Sequence, residues 1–371
     1  MGLEKSKNIS IVDDKMSISL CMIVKNEEQY IEQCLNSVKD LVDEFIIVDT
    51  GSEDKTIDII KKLNLNNLKI IDYKWENDFS KARNISLKNT AKDWILVMDA
   101  DETISKKDHG QIRELIKKEN TAYFLIQRNY TNNASVLGWV SGKDDLYEES
   151  RNFSGWLPNP IIRLFQNKKE IYFVDPVHEH VGESIKKMNG KVEHTNIPIH
   201  HFYQLKKKNE RKKKGKMYLE IGEKKLGKDP KFFYEIGVQH QDLGEFEKAT
   251  EYFKKAIKID PKYIKAYVNL GANLINLNKI EYAKKVLIAA QKIEQNNAEI
   301  YNNLGIVFSK KGEYEAAGLL FRKAIELKQD YANAYFNLGL VFDKLKMYNN
   351  ARYNFEKAIS LNPEYKKKVR L

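Results

Sequence analysis

In the first half of the chain, apolar residues gather in short runs, each followed by a polar break. Strands are predicted at 18–24, 44–48, 68–73 and 93–99, too short for buried helices and apolar enough to be covered on both faces. Between them, apolar residues recur at helical spacing: Ile31, Leu35, Val38 and Leu41, then Ile57, Ile60 and Leu63, then a more polar helix at 80–89. Ser52 stands where a cap of the second helix is expected, with Glu53 and Asp54 in a first turn whose dipole favours acids. Strand and helix alternating in this way predict a mostly parallel α/β sheet with helices on its faces. Further strands are predicted at 122–129 and 159–165. The polar, aromatic stretch between them, 129–159, carries Asp144, Asp145, Glu148 and Glu149 and reads as an acceptor loop or lid.

The second half repeats every 34 residues. Gly237, Gly271, Gly305 and Gly339 share one phase; Ala249, Ala283, Ala317 and Ala351 share another; Ala256, Ala290, Ala324 and Ala358 share a third. Phe233, Tyr267, Tyr301 and Tyr335 form an aromatic column. Small residues let paired helices approach while aromatics fill the gaps, the tetratricopeptide signature, so an all-α solenoid of four repeats is expected. Pro261 and Pro363 occupy the turn between repeats, whereas Gln295 and Gln329 depart from that pattern. Ahead of the repeats, 206–216 holds eight basic residues and the single acid Glu210, and Gly227-Lys228-Asp229-Pro230 then punctuates the chain. The expected organisation is an α/β domain at 17–205, a basic helical linker at 206–229 and the repeats at 230–365.

The net charge of +11 is concentrated in that linker and in Lys366, Lys367, Lys368 and Arg370, which leaves the remainder neutral on balance. A diffuse nucleic-acid surface is therefore not expected, while the linker is a candidate for peripheral contact with an anionic membrane. Cys21 lies in an apolar run and Cys34 in a helical pattern, without metal-ligand spacing, which fits a reducing compartment. Residues 1–10 lack an apolar signal core, and no apolar run approaches the ~20 residues of a membrane helix. Met1-Gly2 followed by Ser6 meets a loose myristoylation pattern that is set aside. A cytoplasmic protein is expected, and the richness in Lys, Asn and Ile suggests a bacterial one.

Candidate chemistry centres on Asp99-Ala100-Asp101-Glu102, where an apolar strand ends in three carboxylates. In open α/β sheets, ligands sit beyond the carboxyl ends of the strands. An Asp-x-Asp there can hold a hard divalent cation that grips phosphate oxygens, or can simply form a polar turn. No glycine lies between Gly2 and Gly51, which excludes a dinucleotide fingerprint after the first strand, and Gly142-Lys143-Asp144 misses the P-loop. A second cluster, His178-Glu179-His180, follows Asp175-Pro176. Arg163, His200 and His201 are further candidates for a phosphate contact.

Four segments carry a resemblance: Lys25-Asn26-Glu27-Glu28, Asp49-Thr50-Gly51-Ser52-Glu53-Asp54, Phe79-Ser80-Lys81-Ala82-Arg83-Asn84 and Asp99-Ala100-Asp101-Glu102. Together they resemble family 2 inverting glycosyltransferases of GT-A fold, in the branch of lipopolysaccharide-core β-glucosyltransferases and bacteriocin-peptide glycosyltransferases. The resemblance implies that Asp49 binds the donor base, that Glu27 lies near the base or ribose, and that Asp99 meets the ribose. It implies that Asp101 coordinates Mn²⁺ or Mg²⁺ on the diphosphate and that Arg83 lies near the donor. Glu179 is the expected general base, with the acids at 144–149 as the competing candidates, and His178 is expected to be a metal or phosphate contact. The function so implied is transfer of a sugar from a nucleotide-diphosphate donor, UDP-linked, to a protein or peptide acceptor. The alternative is envelope glycan or lipid biosynthesis, with the repeats as a docking module. Asn269, Asn303 and Asn337 resemble the asparagine ladder in the tetratricopeptide arm of protein O-linked N-acetylglucosamine transferases, which implies peptide binding. Phe336, Leu340 and Tyr234 are alternative recognition residues or a patch for homodimerisation.

Overall fold

The computed structural model describes residues 16–132, 138–203, 208–224 and 229–369. Residues 1–10, with their myristoylation pattern, as well as Lys206, Lys207, Gly227 and Arg370, lie outside the described residues.

The first strands and helices alternate as expected: β1 Ile18–Val24, α1 Ile31–Val38, β2 Glu44–Asp49, α2 Thr56–Lys62, β3 Leu68–Asp72, α3 Phe79–Lys88 and β4 Trp94–Val97. β5 Glu102–Thr103, α4 His109–Leu115, β6 Ala122–Thr131, β7 Val140–Ser141, β8 Gly155–Gln166, α5 Gly182–Lys187 and β9 Val192–His201 follow. The sheet runs β3-β2-β1-β4-β8-β6-β9-β5, with β7 paired to β8. β1, β2, β3 and β4 are mutually parallel, but β8 joins β4 antiparallel, so the sheet is mixed. β1 lies between β2 and β4, and the chain reverses its direction of travel across the sheet there, which opens a crevice beyond the carboxyl ends of β1 and β4. All four residues of β4 are buried, as an uninterrupted apolar run requires in a strand covered on both faces.

One local expectation is corrected. Ser52 does not cap α2; its N–H and hydroxyl both bond Asp49 Oδ1, at 3.0 and 2.7 Å, and the helix begins only at Thr56. Glu53 and Asp54 therefore precede the helix, and Asp54 Oδ1 accepts the Thr56 N–H at 2.9 Å. Among the described residues between 138 and 159, β7 pairs antiparallel with β8, and Trp139 lies so close over Gly155 that an added Cβ would meet its ring at 2.5 Å.

The chain divides into two compact units, 1–127 with 160–199 and 128–159 with 200–371, so the expected boundary at 205 is not where the units part. In the second unit, the ends of the long strands are joined by an aromatic cluster. Tyr130 stacks on Phe153, His200 and Phe202, and its hydroxyl bonds His200 Nδ1 at 2.7 Å.

Helix α6 Lys208–Lys224 realises the basic linker, with Leu219 and Ile221 buried. Eight helices follow in pairs: α7 Pro230–Asp242 with α8 Phe246–Ile259, α9 Ile264–Asn276 with α10 Ile280–Ile293, α11 Ala298–Lys310 with α12 Tyr314–Leu327, and α13 Ala332–Lys344 with α14 Tyr348–Leu361. Each glycine of the repeat column faces one side chain of its paired helix: Phe253, Leu287, Phe321 and Phe355 would meet an added Cβ at 2.6, 2.4, 2.6 and 2.6 Å. The alanine columns are buried to the same degree, none above 3% exposed.

This packing makes a test. Gly305→Ala forces its Cβ onto the Phe321 ring and is expected to cost ~1–3 kcal/mol in urea denaturation. Gly318→Ala, whose Cβ meets nothing nearer than 3.7 Å, is expected to be neutral or to stabilise the helix.

Candidate active site

Asp49 is the last residue of β2 and Asp99 lies two residues beyond β4, the strands on either side of β1. Asp49 is buried and held by Ser52. Glu27 opens the turn into α1: its carbonyl accepts the N–H groups of Tyr30 and Ile31, and its own N–H donates to Thr56 Oγ1 at 2.8 Å.

Asp99 is the centre of an ion network. Arg83 Nη2 donates to Asp99 Oδ1 at 2.5 Å, and Arg163 Nη2 donates to Asp99 Oδ2 at 2.8 Å. Arg163 Nη2 also reaches Glu102 Oε1 at 2.9 Å, where Gln127 Nε2 donates as well, and Glu102 Oε2 accepts the Asp99 N–H at 2.7 Å. On its other side, Arg83 Nε donates to Glu179 Oε1 at 2.6 Å. The two guanidiniums are 5% and 4% exposed and Glu102 is fully buried, while the Asp99 side chain keeps 32% of its surface open. Burial alone would lower the pKa of both arginines; the charges of Asp99 with Glu179, and of Asp99 with Glu102, outweigh it and hold them above their ordinary value.

The sequence motif around Arg83 has a local explanation for each residue. Asp78 caps α3 by accepting the Lys81 N–H at 3.1 Å, Ala82 is fully buried, and Asn84 exchanges two hydrogen bonds with the backbone of Phe173, at 2.9 and 2.7 Å. Together with the bond from Phe79 N–H to Pro176 O, at 2.9 Å, these fix the segment carrying His178 and Glu179 against α3. That segment closes through the bridge between Val174 and His180, with Asp175 and His178 in left-handed backbone, φ 74° and 56°. Such backbone in non-glycine residues is uncommon and concentrates at functional turns.

Asp101 is 3% exposed, at the start of β5. It lies beside Asp99 and Glu102: burial chiefly, and then the charges of Glu102, Asp101 and Asp99, push the Cys34 thiol well above its ordinary value. Burial pushes Cys21 up to about 12, so both thiols are protonated and inert. Among the described residues, no three His, Cys, Asp or Glu side chains converge as a metal cage. The carboxylates present are hard oxygen donors suited to Mg²⁺ or Mn²⁺, ions that are commonly held by one or two acids together with phosphate oxygens.

The other candidates fall elsewhere. His200 is fully buried against Tyr130 and His201 Nδ1 bonds Asn129 Oδ1 at 2.6 Å, so both are built into the second unit. Asp145 is paired to Arg128 at 2.9 Å and Glu148 to Arg151 at 3.1 Å. In the repeats, Asn269 Nδ2 donates to the Tyr234 hydroxyl at 3.1 Å, Asn337 Nδ2 to Asn302 Oδ1 at 2.9 Å, and Asn303 Oδ1 accepts from Asn302 at 3.4 Å. Phe336 stacks on Tyr365 at 4.4 Å, leaving only Leu340 of the expected recognition patch exposed. Gln127 was not foreseen; its signal is a polar residue directly after the apolar run 122–126.

The α/β sheet thus gathers acids and arginines beyond its parallel strand ends and is followed by helical repeats. Residues 19–182 match the model of Glycosyl transferase family 2. Residues 230–263 and 332–365 match Tetratricopeptide repeat, and 307–346 match TPR repeat. The chain is 34% identical to a TPR repeat-containing protein of Synechococcus elongatus, over 45% of this chain and 36% of that one. It is 30% identical to the SPbeta prophage-derived glycosyltransferase SunS of Bacillus subtilis, over 71% of this chain and 56% of that one. The chain thus spans about a third to just over half of the length of these relatives. A solved structure of MamA aligns at 26% identity over 44% of this chain and 96% of its own, with a TM-score of 0.37. Among the described residues, no helix is long and apolar enough to cross a membrane.

Two outcomes check this geometry. Arg163→Met leaves Glu102 buried without its cation and is expected to cost ~3–5 kcal/mol, whereas adding Glu102→Gln recovers much of that loss in thermal and urea melts. The second concerns Asp54: burial raises its pKa, but the Thr56 hydroxyl and the Thr56 and Glu28 N–H groups outweigh it and hold the carboxyl below its ordinary value. A depressed folded pKa stabilises the native state above the unfolded value, and that stability is lost as pH falls through the folded one. Protection of the Glu28 and Thr56 amides, relative to their intrinsic exchange rates at each pH, should therefore fall below about pH 4, and Asp54→Asn should flatten the dependence.

Proposed function

We propose that the chain is a metal-dependent inverting glycosyltransferase that moves a sugar from a nucleotide-diphosphate donor, UDP-linked, to a protein or peptide acceptor bound by the repeats. One observation carries the reading. Around Asp99, three carboxylates pair with two guanidiniums, Asp99 with both, Glu102 with Arg163 and Glu179 with Arg83; the Asp99 side chain keeps 32% of its surface open, and Asp101 follows two residues on. An Asp-x-Asp at a strand end is a set of hard oxygen donors for a divalent cation. Such a cation at Asp101 and Asp99, with His178 as a further contact, would, when bound, stabilise charge on the departing diphosphate.

The chain's own residues take the remaining roles. Asp49 and Glu27, at the ends of β2 and β1, hold the base and ribose. Arg83 ties the donor side of the site, Asp99, to Glu179. Glu179 accepts the acceptor's proton as the acceptor atom attacks the anomeric carbon and the bond from that carbon to phosphate breaks. Arg83 Nε engages one oxygen of Glu179 and orients the carboxylate, and the other oxygen has no hydrogen bond among the described residues. The fused repeats and the spacing of Asn269, Asn303 and Asn337 support a polypeptide acceptor. Side-chain amides both donate to and accept from a peptide backbone without reading its sequence.

Purified protein incubated with Mn²⁺ and a panel of nucleotide sugars is expected to release nucleotide diphosphate, and chelation should abolish release. Asp101→Ala should reduce turnover by at least ~10²-fold. Glu179→Gln should suppress transfer by ~10²–10⁴-fold while leaving nucleotide affinity intact. No release from any donor, or turnover unaffected by Asp101→Ala, defeats the reading. Replacing the three ladder asparagines by alanine should raise the KM for a protein acceptor and spare donor hydrolysis.

A further inference from the structure

The loops that follow β1 and β2 are joined by a reciprocal set of hydrogen bonds. Asn26 N–H donates to Ser52 Oγ at 3.1 Å, and the Glu53 N–H returns a bond to Asn26 Oδ1 at 2.8 Å. One residue further on, Glu27 N–H donates to Thr56 Oγ1 at 2.8 Å. Beyond that, Glu28 N–H meets Asp54 Oδ2 at 3.1 Å, while Lys55 N–H meets Glu28 Oε2 at 3.0 Å. Ser52, which receives the first of these bonds, donates its hydroxyl to Asp49 Oδ1 at 2.7 Å. An unbroken path of hydrogen bonds thus leads from Asn26 through Ser52 to Asp49.

Asn26 is suited to this place in two separate ways. Its backbone is left-handed, φ 55°, a conformation that asparagine tolerates better than any other residue except glycine. Its side chain also supplies the acceptor for the Glu53 N–H, which glycine would lack. Glu53 and Asp54 lie ahead of α2, so these N–H groups are not supplied with partners by a helix, and the loop after β2 takes its shape from the loop after β1.

We propose that Asn26 is a positioning residue for the donor nucleotide. It acts through Ser52 on Asp49, and through the Glu53 bond it fixes the loop that holds that carboxylate at the end of β2. The inference rests on the reading of Asp49 as the base-binding acid. Asn26 itself is exposed at the loop surface, so its substitution leaves the buried core intact.

Isothermal titration of the full chain with uridine diphosphate and Mn²⁺ tests it, beside amide hydrogen exchange. Asn26→Ala, which loses both the backbone preference and the acceptor, is expected to weaken binding about tenfold, equivalent to ~1.4 kcal/mol. Asn26→Gly, which loses the acceptor alone, should weaken it about threefold to fivefold. Asn26→Asp, which keeps an acceptor and tolerates the left-handed backbone, should recover most of the affinity. The Glu53 amide should exchange faster in the first two variants, with the melting temperature nearly unchanged and KM for donor raised while kcat is kept. Asn26→Ala and Asn26→Gly binding within twofold of the unsubstituted protein, while Asp49→Ala abolishes binding, would overturn the positioning role alone. If Asp49→Ala binds as well as the unsubstituted protein, the base-binding reading fails first.

Discussion

The carboxylate of Asp99 shared between two buried arginines is the interaction on which the first unit depends. Both arginines are at most 5% exposed, and Asp99 is the one carboxylate that bonds the two of them, beside Glu179 on Arg83 and Glu102 on Arg163; a buried cation is far costlier unpaired than paired. Because Arg83 comes from α3, Arg163 from β8 and Glu102 from β5, one acid ties together segments distant in sequence. Such a cluster adds little net stability relative to an apolar core of the same shape. What it supplies is direction, since charge-assisted bonds of 2.5 to 2.9 Å leave each side chain few alternatives.

Much of this was legible in the sequence, and the reasons differ by region. The parallel strands could be read because their uninterrupted apolar runs admit little else, and the repeats because a period of 34 residues shows itself in glycine and alanine columns. Asp49, Arg83, Asp99 and Glu179 were visible as acids and bases at strand ends or in a compact motif. Their mutual pairing was not, because it joins residues 16 to 96 positions apart. Ser52 misled for a physical reason: a hydroxyl ahead of a helical pattern can bond the helix or a neighbouring carboxylate, and here Asp49 takes it. The aromatic cluster around Tyr130 was hidden as well, since 128–159 reads as a polar loop until its rings are seen stacked beside those of His200 and Phe202.

The two cysteines show how the same surroundings can silence one group while organising others. Cys34 donates to the Asp99 carbonyl at 3.4 Å, close to the acids, yet burial and their negative charge keep its sulfur protonated. A thiolate there would set a soft sulfur donor beside the carboxylates; its suppression leaves the acids themselves, hard oxygen donors, beside that sulfur.

The contact of a glycine with one large side chain, renewed in every helical pair, also bears on how such a chain lengthens or shortens over generations. Because each junction is stereochemically equivalent to the next, recombination that inserts or excises one whole period rejoins surfaces already matched to one another. Misaligned exchange would set a glycine opposite the wrong residue and be purged. The reach of the helical array is therefore quantised, open to change by duplication in full units and closed to gradual drift.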